Sequence, residues 1–129
     1  MSTITRYVSI DLDLYSRQDI SPLAATLQDQ VRILHCGWLD EHLFQLSVEP
    51  ASDEFASIEE ELESLLVAAE ELPDDLKLLW FSSFDIVFNL TFEAGGHHRH
   101  QVKVHADYLK RMGELNGALN VMTYLAAAE

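Results

Sequence analysis

Apolar and polar residues alternate along two segments of the chain, a pattern typical of β-strands with one buried face. Between Ile4 and Leu14 the even-numbered positions are apolar, except for Arg6. The outward parity of this segment carries Asp11 and Asp13. The segment from Phe84 to Glu93 also alternates. Its predicted inward residues are Phe84, Ile86, Phe88, Leu90 and Phe92, and its predicted outward residues are Asp85, Asn89, Thr91 and Glu93.

A hairpin is predicted where two segments rich in β-forming residues, "VRILHCGWL" and "HLFQLSVE", flank Asp40-Glu41. A two-residue loop at this point would place Ile33 opposite Val48, His35 opposite Leu46 and Gly37 opposite Phe44. Trp38 and Leu43 would then lie on the other face. We expect Trp38 and Trp80 to anchor the core and Cys36 to be a buried structural thiol.

Three segments carry the signals of α-helices. Ser21 and Pro22 begin a short one. The strongest pattern follows Ser52 as N-cap and ends before Pro73, with apolar residues at helical spacing: Phe55, Ile58, Leu62, Leu65, Leu66, Ala69 and Leu72. A third helix, in "DYLKRMGELNG", begins at Asp107 and stops at Asn116-Gly117. The segment "LKLLWFSS" fits either a helical turn or a short buried strand.

The histidine-rich stretch "GGHHRHQVKVHA" is predicted to form a strand that pairs with the Phe84–Glu93 segment. A three-residue loop, Ala94 to Gly96, matches apolar with apolar positions, including Ile86 with Val104. In this register His98 and His100 point inward, and His97 and His105 point outward.

These elements, together with a final strand in "ALNVMTYL", follow the order βαββαββαβ. No repeat or linker interrupts them. The sequence therefore predicts a single α+β domain over residues 1–129, in which helices pack on one face of a mainly antiparallel sheet.

Net charge is the extreme property of the chain. Eight basic residues and 22 acidic residues give a formal charge of −14. Such a field repels phosphate backbones and anionic lipid surfaces, so we expect neither nucleic acid nor membrane as a partner. It favours capture of a basic protein. The single cysteine and the lack of a secretory signal favour a reducing cytoplasm.

An uninterrupted run of acids suggests where such a partner would bind. No Lys or Arg occurs between Asp53 and Asp75. Like charges three or four positions apart destabilise a helix, so the run either reflects selection for a negative surface or is an ordinary solvated face. The candidate partner-binding residues are Glu59, Glu60, Glu63, Glu70 and Glu71.

Enzyme chemistry has little support in the sequence. Phosphate-binding glycine loops, nucleophile elbows and paired CxxC motifs are all missing, and no cofactor is implied. Asp11 and Asp13 could run acid/base chemistry, but protection of an edge strand explains them equally well. His98 and His100 are weak metal-ligand candidates, because metal sites usually need three or four ligands. A metal-dependent enzyme or sensor at these histidines, and a structural homodimer, stay open as alternatives.

Three segments resemble a family of small bacterial proteins, the domain of unknown function 4279. They are "HCGWL", "SDEFASIEEELESLL" and "YLKRMGELNGALNVMTY", and the resemblance runs from about Arg6 to Tyr124. It brings no catalytic residues to this chain and weighs against an enzyme without excluding one. Small acidic bacterial proteins of this build are often immunity proteins, which neutralise a toxin by plugging its basic active site. The sequence therefore predicts a non-enzymatic, acidic binding protein, of the immunity type in its most specific form.

Overall fold

Five strands and four helices make up the parts of the chain that the computed structural model describes, residues 6–51, 57–94 and 103–125. In chain order they are β1 (Arg6–Ser16), α1 (Ser21–Leu27), β2 (Val31–Asp40), β3 (Leu43–Pro50), α2 (Ile58–Glu70), α3 (Asp74–Phe81), β4 (Asp85–Ala94), α4 (Ala106–Glu114) and β5 (Ala118–Leu125). Among these helices, none is long and apolar enough to cross a membrane.

The strands form one sheet in the order β2-β3-β1-β4-β5. The β2–β3, β1–β3 and β1–β4 pairs are antiparallel, and β4 and β5 are parallel. The parallel pair needs a long crossover, which α4 provides. The predicted fold class, an α+β domain with a mainly antiparallel sheet, is confirmed.

One face of the sheet forms the hydrophobic core with the helices. Ile10, Leu12 and Leu14 of β1 are buried, as the alternation of that segment predicts. Leu23 of α1, Leu65 of α2, Trp80 of α3 and Met112 of α4 join the same buried cluster, so all four described helices pack on this side. Trp80 is 1% exposed and its indole Nε1 donates to the carbonyl oxygen of Leu115 at 2.9 Å. The prediction that Trp80 anchors the core is confirmed.

The acidic helix is shorter than its pattern predicts, and a second helix follows it. α2 begins after Ser57, whose hydroxyl accepts from the backbone N–H of Glu60. The predicted N-cap, Ser52, lies outside the described residues. Pro73 ends the pattern as predicted and precedes α3, so the ambiguous "LKLLWF" segment is helical.

The predicted pairing of β4 with a strand after the histidines is wrong for the residues that can be checked. Both edges of β4 are occupied, by β1 on one side and by β5 on the other. Residues 103–105 lie outside any strand, and Ala106 starts α4. Ile86 pairs with Leu14 of β1, not with Val104. Matching of apolar positions favoured a hairpin between β4 and the segment that follows it. In the structure, β1 and β5 take the two positions beside β4 instead.

An irregularity in β2 changes the predicted register of the β2–β3 hairpin. Ile33 lies opposite Val48 as predicted, but the register then shifts, so that His35 lies opposite Ser47 and Trp38 opposite Phe44. A one-residue shift exchanges the faces of all later side chains. Trp38 packs edge-on against the Phe44 ring and is 48% exposed, because β2 is an edge strand of the described sheet. The core assignment of Trp38 is therefore wrong.

Two other burial predictions are also wrong. Cys36 is exposed, since it too lies on the edge strand. Phe84 precedes the first residue of β4 and is 56% exposed, although its parity matches that of the buried residues of the strand.

Candidate functional site

The acidic face of α2 is largely engaged within the molecule. The guanidinium of Arg111, in α4, forms two hydrogen bonds to Glu63 at 2.9 and 2.7 Å and two to Glu70 at 2.9 and 2.6 Å. These hydrogen bonds raise the pKa of Arg111, with Glu70 contributing most, and lower the pKa of Glu63. One arginine thus offsets the like-charge repulsion of two of the five predicted partner-binding glutamates and ties α2 to α4.

The other three predicted glutamates have different surroundings. Glu59 Oε2 lies 3.5 Å from Nε2 of His105, the residue that precedes α4. Glu60 and Glu71 are exposed. The five glutamates therefore do not form one free surface, and their role in partner binding stays a prediction.

The predicted metal candidates, His98 and His100, lie outside the described residues. Within the described ranges, the side chains of His, Cys, Asp and Glu form no group of three or more that could hold a metal ion. His35 and Cys36, the further donors considered from sequence, are adjacent on the exposed edge strand β2.

A different set of polar residues comes together on the face of the sheet opposite the helices. We call it the polar face. It consists of the outward residues of β1, the residues directly opposite them on β3 and β4, and Asn120 of β5, which lies opposite Asn89: Ser9, Asp11, Asp13, Tyr15, Gln45, Ser47, Asp85, Val87, Asn89, Thr91 and Asn120. Asp11 and Asp13 are therefore on the central strand of the sheet, and protection of an edge strand does not explain them.

Three side chains on three neighbouring strands form a directed hydrogen-bond chain across the polar face. Nδ2 of Asn120 donates to Oδ1 of Asn89 at 2.9 Å, and Nδ2 of Asn89 donates to Oδ2 of Asp13 at 2.6 Å. Asn89 is only 8% exposed, so its amide needs both partners. An ionised carboxylate only accepts, which fixes the orientation of the Asn89 amide and then that of Asn120. The carbonyl oxygen of Asn120 is left as an acceptor at the end of the chain.

Beside this chain lies a cavity of about 420 Å³, which we call the polar-face cavity. Its lining combines two carboxylates, a phenol, two amides and three apolar side chains: Asp13, Asp85, Tyr15, Asn89, Asn120, Leu43, Phe84 and Val87. Tyr15 is held in place by Gln45, whose Nε2 donates to the tyrosine Oη at 3.2 Å. Burial, and next the charge of Asp13, raise the pKa of Tyr15, so the phenol remains protonated at neutral pH. A few convergent polar groups in a partly apolar concavity are typical of a ligand site.

Asp11 extends the negative potential along the same strand. The pKa of Asp11 is raised to about 6, mainly by burial and secondly by the charge of Asp13. The two carboxyl groups lie on one face of the sheet, two positions apart. A cation placed between them would be attracted by both.

The rim of the cavity already carries a cation–π contact. The guanidinium carbon of Arg17 lies 5.2 Å from the centroid of the Phe84 ring. This distance is within the range in which a ring attracts a cation. The Phe84 ring, which is 56% exposed, can therefore carry a guanidinium group, as its contact with Arg17 shows.

The sequence indicated only part of this site. The outward parity of Asp11, Asp13, Asp85 and Asn89 is visible in the alternation of β1 and β4. The contribution of Asn120 depends on the parallel pairing of β4 with β5, which local patterns do not encode. Comparison with protein-family models, with curated proteins and with solved structures returned no match. The resemblance to domain of unknown function 4279 stays a prediction.

Proposed function

We propose that this chain is a non-enzymatic binding domain whose polar face receives a basic protein partner. The observation that carries the proposal is the placement of Asp13 and Asp85 in a cavity on the sheet face opposite the helices. In a chain of net charge −14, a cationic partner is attracted from a distance and then meets ionised carboxylates at this cavity.

Apolar groups accompany the charges, as a stable interface requires. Charged groups at the rim of an interface mainly raise the association rate, whereas buried apolar and aromatic anchors hold the complex. Phe84, Leu43 and Val87 line the same cavity as the two carboxylates. The polar face thus offers both attraction and an anchoring point within one concavity.

The surface of α2 predicted from sequence is the weaker interface of the two. Glu63 and Glu70 already accept four hydrogen bonds from Arg111. A basic partner that bound them would have to compete with a bidentate intramolecular pair. Glu60 and Glu71 remain exposed and would contribute to long-range attraction.

In its most specific form, the proposal is an immunity-type protein of the bacterial cytoplasm that neutralises a basic toxin by covering a cationic surface. The charge of the chain and the acidic cavity support this version. Reversible neutralisation needs a rapid encounter, and electrostatic steering provides one.

Two matched triple variants test the interface. One carries Asp11→Asn, Asp13→Asn and Asp85→Asn on the polar face; the other carries Glu59→Gln, Glu60→Gln and Glu71→Gln on α2. Each removes three negative charges. The tagged proteins are used for affinity capture at low and high salt, and the captured partner is purified and its Kd measured by titration.

We expect a basic partner that the wild type and the α2 variant retain at low salt, and that the polar-face variant loses. Equal retention by all three proteins, or a partner that is not basic, contradicts the proposal. If only the α2 variant loses the partner, the interface lies on α2 and not on the polar face.

A structural homodimer is a second candidate role, which the edge strand β2 favours. Its exposed apolar side chains include Leu34, Trp38 and Leu39, each about half exposed. Unpaired strand edges are templates for pairing with another chain. Sedimentation over a range of protein concentrations tests this role. A dimer that Trp38→Lys disrupts would support it, and a monomer at every concentration would contradict it.

A further inference from the structure

We propose that the polar-face cavity binds the guanidinium group of an arginine side chain. This inference rests on the proposed function and specifies the group that the basic partner inserts. Three features of the cavity support it: the set of hydrogen-bond acceptors, the apolar walls and the volume.

The acceptors suit a planar group with several donors. The carboxylates of Asp13 and Asp85 line the cavity, and the hydrogen-bond chain leaves the carbonyl oxygen of Asn120 as an acceptor. A guanidinium presents five N–H donors in a fixed plane, whereas an ammonium is a compact point charge with three. Several acceptors spread along the lining of one cavity therefore favour arginine over lysine.

The walls suit the rest of the side chain. Val87 and Leu43 offer apolar surface to the methylene stem. The ring of Phe84 is more than half exposed and already lies beside the guanidinium of Arg17. Arg17 therefore shows, within this molecule, the contact that an incoming arginine would make, and its positive charge competes with that arginine at the rim.

The volume fits an extended side chain. A cavity of about 420 Å³ is far larger than a bare metal ion needs and lies within the range of ligand pockets. Its carboxylate-bearing floor is built on β1 and β4, the central pair of strands, so the acceptors are held by regular backbone.

The test uses three capped tripeptides that differ only in the central residue: arginine, lysine or citrulline. Citrulline has nearly the shape of arginine and no charge. Binding is measured by NMR titration at low salt with the full chain. We expect the arginine peptide to bind several-fold more tightly than the lysine peptide, and the citrulline peptide to show at least a tenfold loss.

Single substitutions locate the binding. Asp13→Asn keeps an oxygen that can accept from Asn89, so the fold is preserved, and it should weaken arginine binding at least tenfold. Arg17→Ala should strengthen binding a few-fold by removing the competing cation. Asp29→Asn, in an exposed turn after α1, removes the same charge and should leave binding within twofold of the wild type.

The inference is overturned if no peptide binds at millimolar concentration, if arginine and citrulline bind alike, or if Asp13→Asn and Asp29→Asn have the same effect. These outcomes are distinct from failure of the proposed function. A basic partner lost from the polar-face triple variant but unaffected by Asp13→Asn would keep the interface and reject the arginine site. If an arginine peptide binds in the cavity but the polar-face triple variant still retains the partner, the arginine site stands and the proposed interface is rejected.

Discussion

Asn89 donates from Nδ2 to the Oδ2 of Asp13 across 2.6 Å, and the two residues are diagonal neighbours on adjacent strands. The residue directly opposite Asn89 on β1 is Asp11. The buried amide thus holds the carboxylate that lines the cavity, and its hydrogen bonding also acts on the pKa of Asp11, which it lowers against the larger effect of burial. The polarity of the face is organised around this contact, and the first prediction follows from it.

Removing the Asn89 amide should destabilise the sheet. We expect Asn89→Ala to lower the free energy of unfolding by about 2 kcal/mol, because it leaves the half-buried Asp13 carboxylate without its donor and the Asn120 amide without its acceptor. The matched control is Asn120→Ala, which leaves Asn89 Oδ1 without its donor but keeps the bond to the Asp13 carboxylate, and should cost about 1 kcal/mol. Urea denaturation measures both. Equal losses would show that the bond to Asp13 has no special weight.

Stability should depend on pH through Asp11. Its pKa in the folded protein is about 6, above the ordinary value of 3.8, so the folded state holds the proton more tightly than the unfolded state. Ionised Asp11 therefore lowers stability progressively as pH rises from about 4 to about 6, and the penalty is complete above that range.

Asp11→Asn should accordingly stabilise the protein at pH 7.5. We expect a gain of about 1 kcal/mol, after allowance for solvent screening of this half-exposed group, and no difference from the wild type near pH 4. Denaturation at several pH values checks this, with Asp29→Asn as the control for loss of one charge. A gain that is the same at both pH values would contradict the burial of Asp11 as its cause.

The clamp between α2 and α4 should need arginine at position 111. We expect Arg111→Lys to lower the free energy of unfolding by about 1 kcal/mol near pH 7, because lysine keeps the charge but cannot pair in bidentate fashion with Glu63 and Glu70. The side chains are partly exposed, so the value is modest.

The effect of this substitution should disappear in acid. The pKa of Glu63 is lowered by its hydrogen bonds to Arg111, so the stabilisation is present above the unfolded pKa of about 4.5 and is lost as pH falls through the lower folded value. Arg32→Lys, at a pair with Glu49, is the control and should cost less than about 0.5 kcal/mol, because the side chain of Arg32 is more exposed than that of Arg111. If the cost of Arg111→Lys persists below pH 3, the ion pairs are not its source.

Two glycines of the α4 segment should respond to alanine in opposite directions. A Cβ on Gly117 would lie 2.6 Å from Cε2 of Phe88, a ring that is fully buried, whereas a Cβ on Gly113 would meet nothing within 4 Å. We expect Gly117→Ala to cost about 2 to 3 kcal/mol through overpacking. Gly113→Ala should add about 0.5 to 1 kcal/mol by favouring the helix. Thermal unfolding of both variants measures the contrast. Similar effects of the two substitutions would contradict the close approach of Gly117 to Phe88.

The end of α4 shows what local sequence can specify. Asn116 adopts a left-handed φ of 58°, its N–H donates to the carbonyl of Gly113, and the N–H of Gly117 donates to that of Met112. This is a Schellman motif, and the Asn-Gly pair predicted the stop correctly. Gly117 is required here by the ring of Phe88 on β4, which no local pattern contains.

Local alternation was sufficient for β1 and for most of β4, but it could not select their partners. The histidine-rich stretch matched β4 in apolar parity, yet β1 and β5 occupy the two edges of β4 in the described sheet. The parity of the apolar residues specifies which face of a strand is buried, but it does not specify which strand pairs with it. The same reason explains the site: the outward positions of Asp13 and Asn89 were predictable, and their link to Asn120 through the parallel pair was not.

Charge patterning also gave a partial answer. The run of glutamates on α2 was visible in sequence, but the distant Arg111 that binds two of them was not assigned to that surface. A single arginine from another helix can therefore bind two glutamates of an acidic run and offset their mutual repulsion. At the polar-face cavity the carboxylates are fewer, and the half-buried Asp13 and the exposed Asp85 line one concavity.

We propose that a cationic partner binds the polar face and not the α2 surface. The most direct measurement is the map of backbone amide shifts in ¹⁵N-labelled protein during titration with an arginine-containing peptide. We expect the largest shifts at Asp13, Val87, Asn89 and Asn120, and we expect them to shrink as salt is added. Shifts concentrated at Glu60 and Glu71, or spread evenly over the acidic surface, would contradict it.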